Sequence, residues 1–280
     1  MHIKPYDNQN QPIVDVDHDR VPLNYFNIVK LKRGEVFNYS VAGYETCVVP
    51  ATGRISVSVE GKAIGQIGLR SEDVWDAEPE GIYVPTAMAA EIVCDSEQAE
   101  VFIAGAKCDQ VLAPFAVFAD DIETIQYGSD DTKTHRKIKH ILGMKQQGQV
   151  GLLLVSELFT VGEGGWSGFP SHKHADDRGD AETRHDETYN FRFKPSNGSA
   201  LQMLQATDDE PGDAFHVVDG STFIIDKGYH PCCVLPGYQM YYFTILGGLT
   251  KRGLTPHFQA EHAGQLETIP GMKSMWSAFK

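Results

Sequence analysis

The sequence predicts an all-β chain built as two tandem jelly-roll barrels. Three observations carry this. Glycine and proline punctuate all 280 residues, with 27 Gly and 14 Pro. The segments between the breaks are short and rich in β-branched and aromatic residues. A weak echo of the first half recurs, in order, in the second.

The clearest single strand is Ile55, Val57 and Val59 alternating with Ser56, Ser58 and Glu60, flanked by Gly53 and Gly61. Such alternation marks a half-buried strand, because successive side chains point to opposite faces. Similar runs occupy Gly81–Pro85, Ile92–Cys94, Val101–Ala104, Leu152–Val155, Tyr189–Phe193, Phe223–Ile225 and Tyr241–Leu246. Many short strands at this spacing suggest a sandwich, jelly roll or barrel.

The echo sets Glu45-Thr46-Cys47 beside Glu187-Thr188-Tyr189, and Ile82-Tyr83-Val84 beside Phe223-Ile224-Ile225. It places Ala89 where the second half has His230. No His-x-His occurs before residue 172, so the first barrel is expected to lack a metal site. The polar loop near Tyr127–Lys133 sets the expected boundary: one barrel over 1–130, the other over 131–280. The basic stretch Lys133–His140 reads as a solvated strand edge, or else a substrate-binding stripe.

Net charge is −14 at neutral pH. An acidic surface repels phosphate backbones, which argues against nucleic acid as a partner. No apolar run approaches the ~20 residues of a membrane span, and no signal sequence is visible, so neither a membrane partner nor secretion is expected. The five cysteines are odd in number and lack Cys-x-x-Cys spacing. A reducing, cytoplasmic setting is the simplest expectation.

The chemistry concentrates after residue 165. On an extended strand His172 and His174 project to one face and can aim two imidazoles at one point. Glu187 directly precedes an apolar strand. His230 follows Gly228 at the end of the Phe223–Ile225 run, and glycine there permits a tight turn. His-x-His alone is a weak signal, and two surface histidines explain it as well. The order of His-x-His, then Glu, then Gly-x-His is what gives it value, since a jelly roll draws one site from several strands. Neutral imidazoles plus a carboxylate suit one divalent ion among Zn²⁺, Mn²⁺, Fe²⁺, Ni²⁺ and Co²⁺, with Zn²⁺ placed first. His185 stands either to reach this site or to cap the preceding loop.

The runs Gly-Trp-Ser-Gly-Phe-Pro-Ser-His-Lys-His (165–174), Asp-Glu-Thr-Tyr (186–189), Lys-Gly-Tyr-His-Pro (227–231) and Pro-Gly-Tyr-Gln-Met-Tyr-Tyr (236–242) resemble the 5-deoxy-glucuronate isomerase family of inositol catabolism. In the first half, Ala51-Thr-Gly-Arg-Ile-Ser-Val and Gly68-Leu-Arg-Ser-Glu-Asp-Val-Trp are similar to that family's amino-terminal barrel. The resemblance implies a two-cupin fold and an aldose–ketose isomerisation yielding a 2-deoxy-5-keto-gluconate. It also implies metal ligation by His172, His174, Glu187 and His230. The chain departs from the family where Gln202 is followed by Met203 rather than arginine, and in the tail around Arg252.

Such a reaction removes a proton beside a carbonyl and passes through an enediolate. Glu187, His185 and Tyr241 are the catalytic residues expected, with Lys173, Asp186, Tyr229 and Tyr242 as further candidates for the base. Arg192 and Lys227 are expected to hold the substrate carboxylate, with surface charge as the plain alternative. The expected partner is a small sugar acid, with a homo-oligomer open. A cupin isomerase of another uronate, of the 5-keto-4-deoxyuronate type, an iron-dependent dioxygenase, and a non-catalytic sugar-acid binder remain as competing functions.

Overall fold

The computed structural model describes residues 1–274, so the last six residues of the expected second barrel lie outside the described residues. Strands dominate it; three short 3₁₀ helices accompany them among the described residues, and residues 272–274 are helical. No helix among them is long and apolar enough to cross a membrane. All the expected strands form, most of them a few residues longer than the sequence pattern marks. The Ile55–Val59 strand alternates buried and half-buried positions as its sequence does.

Each half is a large sheet facing a four-stranded sheet. In the first half the large sheet runs Phe115–Val117, Gly81–Val84, Tyr44–Thr52, Gln98–Lys107, Asn24–Lys32, Pro12–Val14. Its small sheet runs Val36–Tyr39, Ala90–Cys94, Ile55–Val59, Lys62–Ile67. In the second half the large sheet runs His2–Ile3, Thr222–Ile225, His185–Lys194, Gln239–Gly248, Leu153–Thr160, Arg136–Leu142, Glu123–Tyr127. Its small sheet runs Gly165–Ser167, Cys232–Val234, Ser199–Leu204, Asp213–Val218. The strand plan repeats, which gives the internal echo a structural basis.

The large sheets stack on each other, so their central strands are buried on both faces and read as continuous apolar runs. Along Gln239–Gly248, Tyr241, Phe243 and Ile245 enter the core between the halves, while Met240 and Tyr242 enter the second barrel. Along Gln98–Lys107, Phe102, Ala104 and Ala106 enter the shared core, while Val101 and Ile103 fill the first barrel. Phe102 and Phe243 meet across this interface with ring centroids 4.9 Å apart. A buried ion pair crosses it, joining Arg70 to both oxygens of Glu157 at 2.7 and 2.6 Å.

Three details differ from the sequence expectations. Glu123–Tyr127 pairs with Arg136–Leu142, so the polar loop at 127–133 is a hairpin turn. Sheet membership changes earlier, between Val117 and Glu123, and His2–Ile3 pairs with the second half. Polar composition marks both tight turns and linkers, and here it marks a turn. The basic stretch is no sheet edge, because Arg136–Leu142 is flanked on both sides. Its Arg136 and Lys139 are buried. The echo of Glu45 with Glu187 is out by one residue. The last residues of the matching strands, Val84 and Ile225, both face into their own barrels and pair across to Thr46 and Glu187 respectively. Glu45 instead points to the other half, where it accepts the backbone N–H groups of Gly151, Leu152 and Leu153.

Candidate metal centre

The second barrel opens between Ser167 and His185, and residues 168–184 form an excursion there. Within it His172–Lys173 pairs antiparallel with His257–Phe258. That short ladder extends the chain, so His172 and His174 share a face while Lys173 turns away to lie over the Tyr229 ring. The excursion is tied back at His185: its backbone N–H donates to the His174 carbonyl, and the His174 ring Nδ1 lies 3.0 Å from the His185 carbonyl. Glu187 follows on the same face of its strand as Tyr189. Gly228, at φ +94°, makes the turn that presents His230, and a Cβ there would meet the Gln205 carbonyl oxygen at 2.6 Å.

These elements bring His172, His174, Glu187 and His230 together. Nitrogens of the three histidines lie within 4.8 Å of one another. Glu187 Oε2 lies 3.1 Å from His174 Nε2 and 3.2 Å from His230 Nε2. All three rings are held from behind: Nδ1 of His172, His174 and His230 faces the carbonyl of Pro170, His185 and Gly228 at 3.3, 3.0 and 2.8 Å. An Nδ1–H donated to a carbonyl fixes the tautomer and turns the Nε2 lone pair inward, the arrangement that metal-ligating histidines use. His230 Nε2 is buried and has no partner in hydrogen-bonding geometry, although Glu187 is near. A buried lone pair left so is costly, and a cation would satisfy it. The donor set therefore fits a divalent metal.

The electrostatics agree. Burial, aided by the neighbouring His230 and His174, pushes the His172 pKa down to about 3 and keeps the ring neutral. Burial opposes charge on Glu187, but the close His174 and His230 rings outweigh it and hold its carboxyl below the usual range. Burial likewise opposes charge on His174, and the Glu187 carboxylate overrides it and raises that pKa. Tyr189 donates its hydroxyl to Glu187 Oε2 at 2.9 Å. Burial, then the Glu187 charge, lifts the Tyr189 pKa far above the usual phenol value, so it stays a donor.

A cavity of about 180 Å³ adjoins the cluster. His172, Glu187, Tyr189, Tyr242, Arg136 and Phe258 are on its wall. A larger groove of about 700 Å³ lies at Trp75, Glu100 and Lys194, and no histidine lines it. The histidines and the orphaned Nε2 make the smaller cavity the better site.

Several expected site residues lie elsewhere. Tyr241 points into the core between the halves and donates to Glu157 Oε1 at 2.9 Å, because strand alternation gives the barrel face to Tyr242. The His185 ring is buried with its nitrogens 3.5 and 3.2 Å from the Thr183 and Arg252 carbonyls. Its backbone, rather than its ring, serves His174. Asp186 accepts the Leu23 N–H at 3.0 Å, toward the other half. Arg192 pairs with Glu100 at 2.7 Å and lines the larger groove. Lys227 is exposed. Arg136, Ser167 and Tyr189 were not singled out from the sequence. Alternation along Arg136–Leu142, with Arg136, Ile138 and His140 on the cavity side, was the available signal.

Two stacked jelly rolls with a histidine-rich donor set in one of them define a two-barrel cupin. A family model described as the KduI/IolB family matches residues 2–265, and the chain belongs to that family. It is 28% identical over 257 residues to 5-deoxy-glucuronate isomerase of Listeria innocua, spanning 91% of this chain and 92% of that protein. The counterpart in Geobacillus kaustophilus is 28% identical over 243 residues, 86% of each chain. Among solved structures, an IolB-like protein from Salmonella typhimurium superposes with a TM-score of 0.85 at 23% identity, covering 94% of this chain and 98% of the other. Oxalate decarboxylase of Bacillus subtilis gives 0.61 at 10% identity, over 92% and 79%. The structural likenesses speak for the fold alone.

Proposed function

We propose that this chain is a metal-dependent aldose–ketose isomerase converting 5-deoxy-glucuronate to 2-deoxy-5-keto-gluconate, with His172, His174, Glu187 and His230 holding the ion. The observation that carries the reading is the buried, unpartnered His230 Nε2 facing Glu187 and two further imidazoles tied back through Nδ1. The names of the Listeria and Geobacillus relatives supply the substrate class.

A bound divalent cation supplies the positive charge that makes an enediolate less costly. Around it the side chains have distinct tasks. Glu187 stays ionised and neutralises part of the cluster's charge. Tyr189 keeps its proton on Glu187, while the Tyr242 hydroxyl remains protonated and can donate to a developing negative oxygen. His140, on the cavity wall, is kept neutral by burial and can accept a proton. Apolar walls from Ile138, Leu246 and Phe258 exclude water, which strengthens each polar contact.

The test is an assay of protein loaded with Zn²⁺, Mn²⁺ or Fe²⁺ against a panel of deoxy- and keto-uronates, with products identified by NMR. Conversion of 5-deoxy-glucuronate without oxygen or nicotinamide is expected. Turnover that requires oxygen, or that is confined to another uronate, would overturn the assignment.

A further inference from the structure

We propose that Arg136 is the anion anchor of the cavity, the residue that binds the carboxylate of the sugar acid while the reacting carbonyl lies toward the histidine cluster. This rests on the reading above for the identity of the ligand, though not for the existence of an anion site.

Arg136 is 3% exposed, and no carboxylate among the described residues pairs with it. Its Nη1 donates to Ser167 Oγ at 2.8 Å, and its Nε, wholly buried, has no partner. The guanidinium sits 4.5 Å from the Tyr127 ring centroid, which steadies it without neutralising it. The other buried arginines are placed differently. Arg70 is paired in bidentate fashion with Glu157. Arg252 donates to the carbonyls of Leu153, Leu142 and Gly143, and although its Nη1 also lacks a partner, it does not line the cavity. An unpaired buried cation is costly to a fold, and one that opens on a cavity is explained by an anion that arrives there.

Position supports the same reading. Arg136 shares the cavity wall with His172 and Glu187. A relay of contacts separates it from the cluster: Ser167 Oγ lies 2.6 Å from the Tyr242 hydroxyl, the Tyr242 and Tyr189 rings are 4.5 Å apart, and Tyr189 reaches Glu187. With Ser167 and Tyr242 between them on one wall, a carboxylate at Arg136 and a carbonyl at the cluster can be the two ends of one sugar acid. A planar guanidinium also offers the paired donors that match a carboxylate.

The experiment compares wild type with Arg136→Met and Arg136→Lys, all metal-loaded, using glucuronate as the binding probe. In Arg136→Met the KM for 5-deoxy-glucuronate should rise on the order of 100-fold, with kcat changed far less and metal content unaltered. Arg136→Lys should lie between, because it keeps the charge and loses the fork. Glucuronate should raise the melting temperature of wild type and leave that of Arg136→Met unmoved. A purely structural arginine would lower stability and kcat together and leave the probe's effect intact. That outcome, or an unchanged KM in folded, metal-replete Arg136→Met, overturns the proposal. If wild type isomerises no uronate but its glucuronate-induced shift still vanishes in Arg136→Met, the isomerase reading fails and the anion anchor stands.

Discussion

The two barrels share one strand plan, and the difference that bears on the site lies in one stretch of chain. In the first, Tyr39 ends one strand and Tyr44 begins the next, with residues 40–43 between them. In the second, Ser167 and His185 end and begin the equivalent strands, and residues 168–184 intervene. That excursion carries both His172 and His174. The place of Glu187 is held in the first barrel by Thr46, whose Oγ1 lies 2.9 Å from the Tyr39 hydroxyl. There two neutral hydroxyls satisfy each other, whereas in the second barrel one nitrogen is left without a partner. A jelly roll thus supplies the wall, and the metal-type donor set requires an added segment and a polar group left deliberately unsatisfied.

The sharpest way to test this contrast is to remove a donor. Glu187→Gln or His230→Ala should abolish metal retention and turnover, well beyond the ~10–100-fold that loss of an outer partner costs. Circular dichroism should still report a fold, since the cores of both halves lie elsewhere. Full metal content in either variant, measured on purified protein, would show that the four donors are misassigned.

Next in size is the joint between the barrels. Glu157→Gln leaves Arg70 charged and buried, so a loss of about 3–5 kcal/mol is expected in chemical denaturation. Both halves should lose stability together if the joint couples them. Separate transitions would mean that the barrels stand alone.

Acid should distinguish the barrels more gently. Burial depresses the pKa of His172 to about 3 and of His185 to about 4. Their neutral forms contribute stability that is full above about pH 6.5 and drains away as pH falls toward those values. Burial raises the Asp186 pKa to about 6, which works in the opposite sense, as does the raised His174. The two depressed imidazoles lose stability on acidification, and the depressed Glu187 carboxyl adds to that loss at lower pH. Chelator-treated protein should therefore lose amide protection first around residues 172–187 when pH drops from 7 to 5. Equal loss in the Tyr44–Thr52 strand would erase the distinction.

The smallest effect belongs to the first barrel. Tyr39→Phe combined with Thr46→Val removes both partners of one hydrogen bond, and stability should change by no more than ~1 kcal/mol. Activity and metal content should be untouched. A marked loss of turnover would assign the first barrel a part in catalysis.

Much of this was legible beforehand, for local reasons. Period-two spacing puts His172 and His174 on one face, and a glycine two residues earlier lets His230 turn, so local rules were enough to nominate them; that they meet Glu187 at one point is tertiary. Tyr241 and Tyr242 were not separable, because a strand buried on both faces shows no alternation to say which side is the barrel. Arg136 was hidden by its neighbours: Lys133, Lys137 and Lys139 make the stretch look like a solvated edge. Only pairing with Glu123–Tyr127 shows that it is an interior strand. The Glu45 echo misled by one residue, and in a sheet one residue exchanges one face for the other.

The pairing of His2–Ile3 with Phe223 and Thr222 bears on how the protein is made and handled. At a synthesis rate of roughly 5–20 residues per second, residues 2 and 3 wait some tens of seconds before their partner strand leaves the ribosome. The first barrel's strands are all available earlier, so it can close while this segment still lacks its place. A proline at position 3 would take an edge partner from Thr222–Ile225, the strand that leads to Gly228 and His230.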